Sequence, residues 1–269
     1  MVRIIARLDI KGDNLVKGIH LEGLRIIGKP EEFAKYYYES DADEILYLDT
    51  VASLYGRNSI EELIERTASE IFIPLTVGGG IRNLSDVKNI MRRGADRVAI
   101  NTSLFETPTL IHQIKDTYGA QAIVASIQAK RRDKQNYECL TDSGRQKTGH
   151  DVFSWVEELN RRGVGEIIVT SVDQDGTGNG FDEILIREIM ERSDVPVIAA
   201  GGAGKATHIL DIIQNTAVDA VCLGSILHYS QDNLPRRNHK AIPKSIEPIN
   251  ISELKIYLDE NKINCRLPN

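Results

Sequence analysis

The residues of this sequence that could do chemistry stand where apolar runs end. Asp9 closes the run that begins at Arg3, and Asp49 closes the run that begins at Glu44. A carboxylate in such a place can exchange a proton with a substrate or orient a polar group. Gln128 closes a third run, and its amide can form hydrogen bonds but has no proton to exchange at neutral pH. These three run ends are the first candidates for a site, provided that the fold brings them together.

Two glycine-rich turns add a second kind of chemistry. The segment 73–81 reads IPLTVGGGI, an apolar strand pattern that ends in three glycines before a polar, helix-like stretch. The segment 195–204 repeats the proline, the apolar run and the glycines. Glycine lets a backbone come close to a ligand, and a following helix presents free N–H groups to an anion. Each turn is therefore a candidate phosphate site, although a simple tight turn explains a single one equally well.

The two turns belong to a repeat that covers most of the chain. Residues 43–49 match 165–171, and residues 94–103 match 216–225, at the same offset as the two glycine turns. The opening strand near 4–11 has a partner near 123–130. Each half then contains four strands in the same order, and long-period similarity of this kind indicates duplicated halves. The sequence predicts one (βα)8 TIM barrel over 1–269, with half-barrels of about 1–120 and 121–269.

In such a barrel, binding and catalytic residues lie at the carboxyl ends of the strands. Polar residues and glycines accumulate there in this sequence, and they are Asp9, Asp49, Gly80, Asn101, Thr102, Gln128, Asp173, Asp175, Gly202 and Ser225. We expect one phosphate site at Gly80 with Asn101 and Thr102. A second is expected at Gly202 with Gly224 and Ser225, and the frequent use of the last two strands for phosphate favours the second. A ligand with a phosphate at each end would span the barrel mouth.

Several connections have patterns of their own. The segment Gly12–Gly28, which contains Lys17, is longer than an ordinary strand-to-helix connection and is predicted to be a mobile lid. Asn58-Ser59 is predicted to cap a helix. A short hairpin is predicted through Ser143-Gly144, and Trp155 is assigned to the core.

Composition excludes several classes of protein. The net charge is −6, so binding to nucleic acid or to an anionic membrane is not expected. No apolar run reaches the length of a membrane span, and the N-terminus lacks a signal-peptide pattern. The three cysteines, Cys139, Cys222 and Cys265, have no metal-binding spacing and suit a reducing cytoplasm. We therefore predict a cytoplasmic protein without a metal or cofactor.

Five motifs taken together resemble the cyclase subunit of imidazole glycerol phosphate synthase, the HisF family, from near Arg3 to the C-terminus. They are LDIK at 8–11, VGGGI at 77–81, INT at 100–102, TSVDQDGT at 170–177 and GGAGK at 201–205. The related isomerase of histidine synthesis shares the half-barrel repeat, but the Asp-x-Asp-Gly-Thr segment favours the cyclase. The resemblance implies catalytic roles at Asp9, Lys11 and the position of Gln128. It also implies a substrate and phosphate site at Lys17, Asp49, Gly80, Asn101, Thr102, Thr170, Asp175, Gly176, Gly201, Gly202, Gly224 and Ser225.

The resemblance further implies a partner and a reaction. The family takes ammonia from a glutamine amidotransferase docked at the bottom of the barrel and uses it on a bis-phosphorylated ribulosyl aminoimidazole carboxamide. The products are imidazole glycerol phosphate and an aminoimidazole carboxamide ribotide. A charged ring at the bottom entrance matches Arg3, Glu44, Arg97 and Glu166, and Asp96 matches a docking position. A solvated salt-bridge ring with no such role is the alternative explanation of these four residues.

The chain departs from the family pattern at two places. The family closes strands one and five with catalytic carboxylates, but here strand five ends in Gln128. Losing an acid or base typically lowers a rate by ~10²–10⁴, unless another group such as Asp175 or Asp49 replaces it. The register places neither of these opposite Asp9. The second departure is an insertion of about 230–248, rich in Pro, Lys and Arg, which is either a cover for another substrate or a tolerated surface loop.

Three functions remain open on the sequence. The first is the histidine-pathway cyclisation, which Asp9, Lys17 and both phosphate motifs favour. The second belongs to diverged relatives that convert an acetamido group of a nucleotide sugar to an acetamidino group for surface polysaccharide such as lipopolysaccharide, and Gln128 and the insertion favour it. The third is a barrel without activity that only stimulates a glutaminase.

Overall fold

The structure is a computed structural model that describes residues 1–51, 60–231 and 242–268. Its centre is a closed barrel of eight parallel strands, in which each strand pairs with two neighbours and the seventh and tenth strands of the chain close the ring. The barrel strands are β1 (Arg3–Lys11), β4 (Glu44–Asp49), β5 (Leu75–Gly78), β6 (Arg97–Ile100), β7 (Ile123–Arg131), β10 (Glu166–Ser171), β11 (Val197–Ala200) and β12 (Ala220–Leu223). The predicted (βα)8 barrel is confirmed, whereas the domain boundaries and the half-barrel division stay predictions.

The barrel strands are buried on both faces, as the nearly continuous apolar runs predicted. Alternate residues form two separate clusters. Ile5, Leu46, Val124 and Ile168 belong to a small cluster inside the barrel. The residues between them, such as Ile4, pack outward in the large cluster that also includes the helices. Because side chains alternate along a strand, a polar residue two positions from Ile5 must also point into the barrel.

Helices surround the barrel and connect its strands. They are α1 (Pro30–Glu39), α2 (Glu61–Ala68), α3 (Leu84–Arg92), α4 (Thr102–Glu106), α5 (Thr109–Tyr118), α6 (Val152–Arg162), α7 (Glu183–Met190), α8 (Ala206–Thr216), α9 (Ser225–His228) and α10 (Ile251–Glu260). Trp155 on α6 is buried and stacks on Phe105, in agreement with its assignment to the core. The predicted cap at Asn58-Ser59 and residues 232–241 of the insertion lie outside the described residues. No helix in the described part of the chain is long and apolar enough to cross a membrane.

The segment after β1 corrects the prediction of a loop over Gly12–Gly28. It forms two antiparallel strands, β2 (Asn14–Ile19) and β3 (Glu22–Gly28), and β2 also pairs with the end of β1. The tight turn at Gly12 makes this possible, because Gly12 has a φ of 56° that suits glycine. The segment is therefore a regular extension of the sheet.

A second hairpin extends β7 and includes the predicted turn at Ser143-Gly144. It consists of β8 (Tyr137–Thr141) and β9 (Gln146–Asp151), both antiparallel. The two hairpins meet over the carboxyl ends of the barrel strands, where Leu21 packs against Leu140 and Val172. Residues of both hairpins line one side of the cavity at this end of the barrel.

Candidate active site

A cavity of about 270 Å³ opens at the carboxyl ends of the barrel strands. It brings together eight residues that the sequence assigned to the site, namely Asp9, Lys17, Asp49, Gly80, Asn101, Thr102, Gln128 and Asp175. These residues come from both halves of the chain and are far apart in sequence. The predicted convergence of polar strand ends is thus present in the geometry.

The floor of this cavity contains a buried cluster of two cations and two carboxylates, Arg7, Asp9, Lys17 and Asp175. The Asp9 carboxylate accepts hydrogen bonds from Arg7 Nε at 2.8 Å and from Lys17 Nζ at 3.3 Å. Lys17 Nζ also donates to Asp175 Oδ2 at 3.0 Å, and Arg7 lies 3.7 Å from Asp175 Oδ1. Each of the four side chains is at most 6% exposed. The cluster places Asp175 beside Asp9, which the strand register did not predict.

Burial alone would raise the pKa of Asp9, but the charges of Arg7 and Lys17 outweigh it and hold that pKa below its usual value. Burial alone would lower the pKa of Lys17, but the charges of Asp175 and Asp9 outweigh it and raise that pKa above its usual value. His228 lies behind Lys17, and burial followed by the charge of Lys17 lowers its pKa to about 3. At neutral pH the floor therefore contains ionised Asp9 and Lys17 with a neutral imidazole behind them.

Arg7 is the site residue that the sequence analysis missed. The run from Arg3 to Ile10 was treated as apolar, yet Arg7 lies two residues after Ile5 and two before Asp9, on the inward face of β1. Its guanidinium reaches across the barrel interior, and NH1 donates to Thr170 Oγ1 on β10 at 3.3 Å. An arginine inside an otherwise apolar buried strand is the signal that could have revealed it, because a buried charge requires partners.

Gln128 lines the cavity, as does Ser126 two residues earlier on β7. The amide oxygen of Gln128 is buried and has no hydrogen-bond partner among the described residues. The inward side chain at the end of β7 is therefore an amide, where β1 has the carboxylate of Asp9.

The first predicted phosphate site is open to the cavity. Gly79 and Gly80 have φ values of 102° and 68°, in the region that favours glycine. Asn101 donates from Nδ2 to Leu140 O at 3.1 Å, while its Oδ1 is buried without a partner among the described residues. The backbone turn, the amide and the neighbouring Thr102 therefore face the same space, as the sequence predicted.

Gly79 also has a packing role. A Cβ at this position would lie 2.3 Å from the Asp49 carbonyl oxygen, which is far inside contact distance. We expect Gly79→Ala to lower the free energy of unfolding by more than the roughly 1–3 kcal/mol of a strained backbone position, because the added Cβ also collides with the Asp49 carbonyl. Gly23→Ala is the control, because its φ of 63° is also positive but no atom lies within 4 Å of the added Cβ. Urea denaturation of both variants measures the difference, and equal losses would contradict the packing role.

The second predicted phosphate site is nearly filled by the chain itself. Gly201, Gly202, Gly224 and Ser225 line a cavity of only about 20 Å³, together with Gly176, Lys17 and Asp175. The N–H of Gly180 donates to Gly202 O at 2.8 Å, and the N–H of Glu247 donates to Gly204 O at 2.7 Å. The end of the insertion thus packs on this glycine turn, and phosphate binding there stays a prediction.

Two residues assigned to the site by resemblance lie outside both cavities. Lys11 is exposed at the end of β1, next to the Gly12 turn, and lines neither cavity, so its catalytic role stays a prediction. Thr170 is buried beneath the floor and contacts Arg7. The hairpin of β2 and β3, which was not predicted, directs the chain away from the cavity at Lys11 and places Lys17 in the cavity lining.

The opposite end of the barrel is closed by a charged ring. Arg3 donates to Glu44 at 3.2 Å and also to Glu166, and Arg97 donates to both of these glutamates. Glu44 and Glu166 are buried, while Arg3 and Arg97 are partly exposed. Burial raises the pKa of Glu44, although Arg97 opposes the shift. The four predicted ring residues therefore form one connected network across the axis of the barrel.

Asp96 lies on the same end, outside the ring. Its carboxylate accepts a hydrogen bond from the Leu75 N–H at 2.8 Å, and it lines a shallow groove with Pro74 and Phe72. Phe72 is 81% exposed, which is unusual for an aromatic side chain.

Comparisons with known proteins agree with this geometry. The family model for histidine biosynthesis proteins matches residues 3–233. A HisF subunit of imidazole glycerol phosphate synthase from Legionella pneumophila is 53% identical over 76% of this chain and 96% of its own length. The HisF subunit from Lactococcus lactis is 43% identical over 91% of this chain and 95% of its own, and that of Nostoc is 40% identical over 98% and 97%. The chain therefore belongs to the histidine biosynthesis protein family and, within it, to the HisF subunits of imidazole glycerol phosphate synthase.

Proposed function

We propose that this chain is the ammonia-using cyclase subunit of an imidazole glycerol phosphate synthase. Its substrate would be the bis-phosphorylated ribulosyl aminoimidazole carboxamide, which ammonia converts to imidazole glycerol phosphate and an aminoimidazole carboxamide ribotide. The observation that carries the proposal is the cavity at the carboxyl ends of the strands. It combines a buried Asp9 with the Gly80, Asn101 and Thr102 turn.

The residues of the cavity have distinct parts in this proposal. Gly80, Asn101 and Thr102 would bind one phosphate through backbone N–H groups and short polar side chains. Gly202, Gly224 and Ser225 would bind the second phosphate. This requires segment 242–247 to move away from the glycine turn at 201–204. Asp9 would orient the reacting groups and accept a proton, because the carboxylate is ionised at neutral pH.

We further propose that a glutamine amidotransferase subunit binds at the other end of the barrel. The ring of Arg3, Glu44, Arg97 and Glu166 would control the entry of ammonia, and Asp96 would contact the partner. The apolar interior between the ring and Asp9 supports this route, because a small neutral molecule crosses such an interior more readily than an ion does.

The test is turnover of the ribulosyl substrate by the purified protein with ammonium salt at high pH, beside Gln128→Asp. We expect turnover by the unmodified protein and a rise of about tenfold in the variant, below the ~10²–10⁴ of a fully positioned acid or base, because a carboxylate at this position also attracts ammonium. Gln113→Asp, the same chemical change at an exposed position of α5, should leave the rate unchanged.

The activities of the two proteins distinguish a lost catalytic group from a different substrate. Activity only in Gln128→Asp would show that the substrate still binds at a site from which the chemistry has been removed. Absence of activity in both proteins would contradict the proposed substrate.

A second function is favoured by one specific observation, the amide of Gln128 where a second carboxylate would be needed for the cyclisation. In a related chemistry, ammonia would form a new C–N bond at the acetamido carbon of a nucleotide sugar, and the amide oxygen would leave as water, which produces an acetamidino group. Incubation with acetamido nucleotide sugars and ammonium salt, followed by mass spectrometry, tests it.

A further inference from the structure

The floor of the cavity presents a hydrogen-bond acceptor that the protein does not satisfy. The amide oxygen of Gln128 is buried and has no partner among the described residues, which is rare for a buried polar atom. Ser126 lies two residues earlier on β7, on the same inward face, and lines the same cavity. The two side chains together form a small polar patch in the lining of the cavity.

A fixed positive charge lies close to this patch. Gln128 and Thr170 are register partners on the neighbouring strands β7 and β10. Arg7 reaches Thr170 from the far side of the barrel, with 3.3 Å between NH1 and Oγ1. Asp9 and Asp175 hold the guanidinium in this position. The cation is therefore anchored next to the strand that carries Gln128.

The patch also lies on the path through the barrel. Below it is the apolar cluster that includes Ile5, Val124 and Ile168, and below that cluster is the charged ring. Ala99, a member of this cluster, and Leu48, which packs against it, already line the cavity. The end of β7 therefore offers an unpaired hydrogen-bond acceptor on the cavity side of the apolar cluster.

We propose that Gln128, with Ser126 and beside the Arg7 cation, forms a docking site for neutral ammonia at the floor of the cavity. The proposal rests on the proposed use of ammonia. An ammonia N–H would donate to the Gln128 amide oxygen, and the nitrogen lone pair would stay free for attack. A carboxylate in the same place would instead attract ammonium, which has no lone pair.

Other charged groups face the same space. At the floor, Asp9 and Asp175 are both paired with Lys17 and Arg7, so the cluster as a whole is close to neutral. Toward the mouth the cavity is lined by Asp49, Arg82, Glu106 and Asp142. The charges of Asp9 and Asp175 outweigh burial and raise the pKa values of Arg7 and Lys17, so both side chains stay charged in the alkaline buffer of the test.

The test measures binding without any substrate, so that it is independent of the reaction. Thermal unfolding of the full chain is followed in ammonium chloride and in sodium chloride of equal ionic strength. One buffer is well above the pKa of free ammonium and one is well below it. At high pH, ammonia at about five times its dissociation constant should raise the midpoint by roughly 2–4 °C. At low pH the two salts should give the same midpoint.

Gln128→Leu should abolish the difference between the salts, whereas Gln113→Leu, the same change on an exposed helix face, should keep it. If Gln128→Leu does not unfold cooperatively, Gln128→Asn replaces it, because its shorter side chain withdraws the oxygen and should reduce the shift. Gln128→Glu should move the stabilisation to the lower pH, where ammonium dominates. Equal shifts in the unmodified protein and Gln128→Leu, or no shift at high pH, would overturn the proposal.

Failure here is distinct from failure of the proposed function. Turnover of the ribulosyl substrate without an ammonia-dependent midpoint would leave the function in place and remove the docking site. An ammonia-dependent midpoint without that turnover would keep the docking site and direct attention to another substrate.

Discussion

Replacing Arg7 by leucine should lower the free energy of unfolding by about 3–5 kcal/mol, the usual effect of removing one partner from a buried ion pair. Leucine fits the apolar interior, but Asp9 and Asp175 would then share Lys17 as their one close cation in the described structure. Buried carboxylates without sufficient partners are strongly unfavourable. Urea denaturation at pH 7 measures the loss.

The matched control is Arg161→Leu on α6. Arg161 pairs with Glu158, but its side chain is 71% exposed, and an exposed ion pair contributes about 0–1 kcal/mol. Losses of similar size in the two variants would contradict the central role of the buried cluster.

The effect of Arg7→Leu should depend on pH in a defined direction. In the unmodified protein the pKa of Asp9 is lowered in the folded state, because Arg7 and Lys17 outweigh burial. The ionised group then contributes stability at pH values above its unfolded pKa of about 4, and this contribution is lost as the pH falls through the folded pKa. Without Arg7 the lowering is weaker, so the gap between the two proteins should be widest near pH 7. It should narrow as the pH falls below about 4.

The barrel itself could be predicted from the sequence because its signals are local and repeated. Each apolar run is short, each is followed by a helical pattern, and the glycine turn at 78–80 recurs at 201–204. The ends of β4 were placed at Glu44 and Asp49, where the structure has them. A parallel strand buried on both faces leaves a continuous apolar pattern that few other elements share.

The hairpin after β1 was missed for a physical reason. Its turn is short, and β3 exposes most of its residues, so the alternation that marks a half-buried strand is weak. Lys17 is buried in β2 because it reaches Asp9 and Asp175, and the second of these lies far away in the sequence. No local pattern contains that contact.

The role of Arg7 and the filling of the second glycine turn could not be predicted for the same reason. Arg7 depends on Thr170 across the barrel, and Gly204 is covered by Ser245 and Glu247 from the end of the insertion. Such contacts join residues that only the closed fold brings together. The residue types of the site could therefore be predicted, but the state of ionisation at the floor required the structure.

Asp9→Asn should reduce turnover of the ribulosyl substrate by ~10²–10⁴, the usual contribution of a positioned acid or base. This corresponds to roughly 3–5 kcal/mol of activation free energy. Asparagine keeps the size of the side chain but removes both its charge and its ability to accept a proton. Gln128 already provides an amide at the end of β7. In this variant, neither β1 nor β7 would end in a carboxylate that faces the cavity.

The measurement is kcat with saturating ammonium salt at high pH, compared with Asp116→Asn on the exposed face of α5, which should keep the rate of the unmodified protein. A rate within about threefold of the unmodified protein would show that Asp9 only pairs with Arg7 and Lys17 and takes no part in the reaction. The pH profile gives an independent check on the same residue. The lowered pKa keeps Asp9 ionised between pH 7 and about 5. Over that range kcat/KM should therefore change with pH in the same way in the unmodified protein and in Asp9→Asn. An acid limb in that range that disappears with Asp9 would mean that the two cations move away from the carboxylate in the working enzyme.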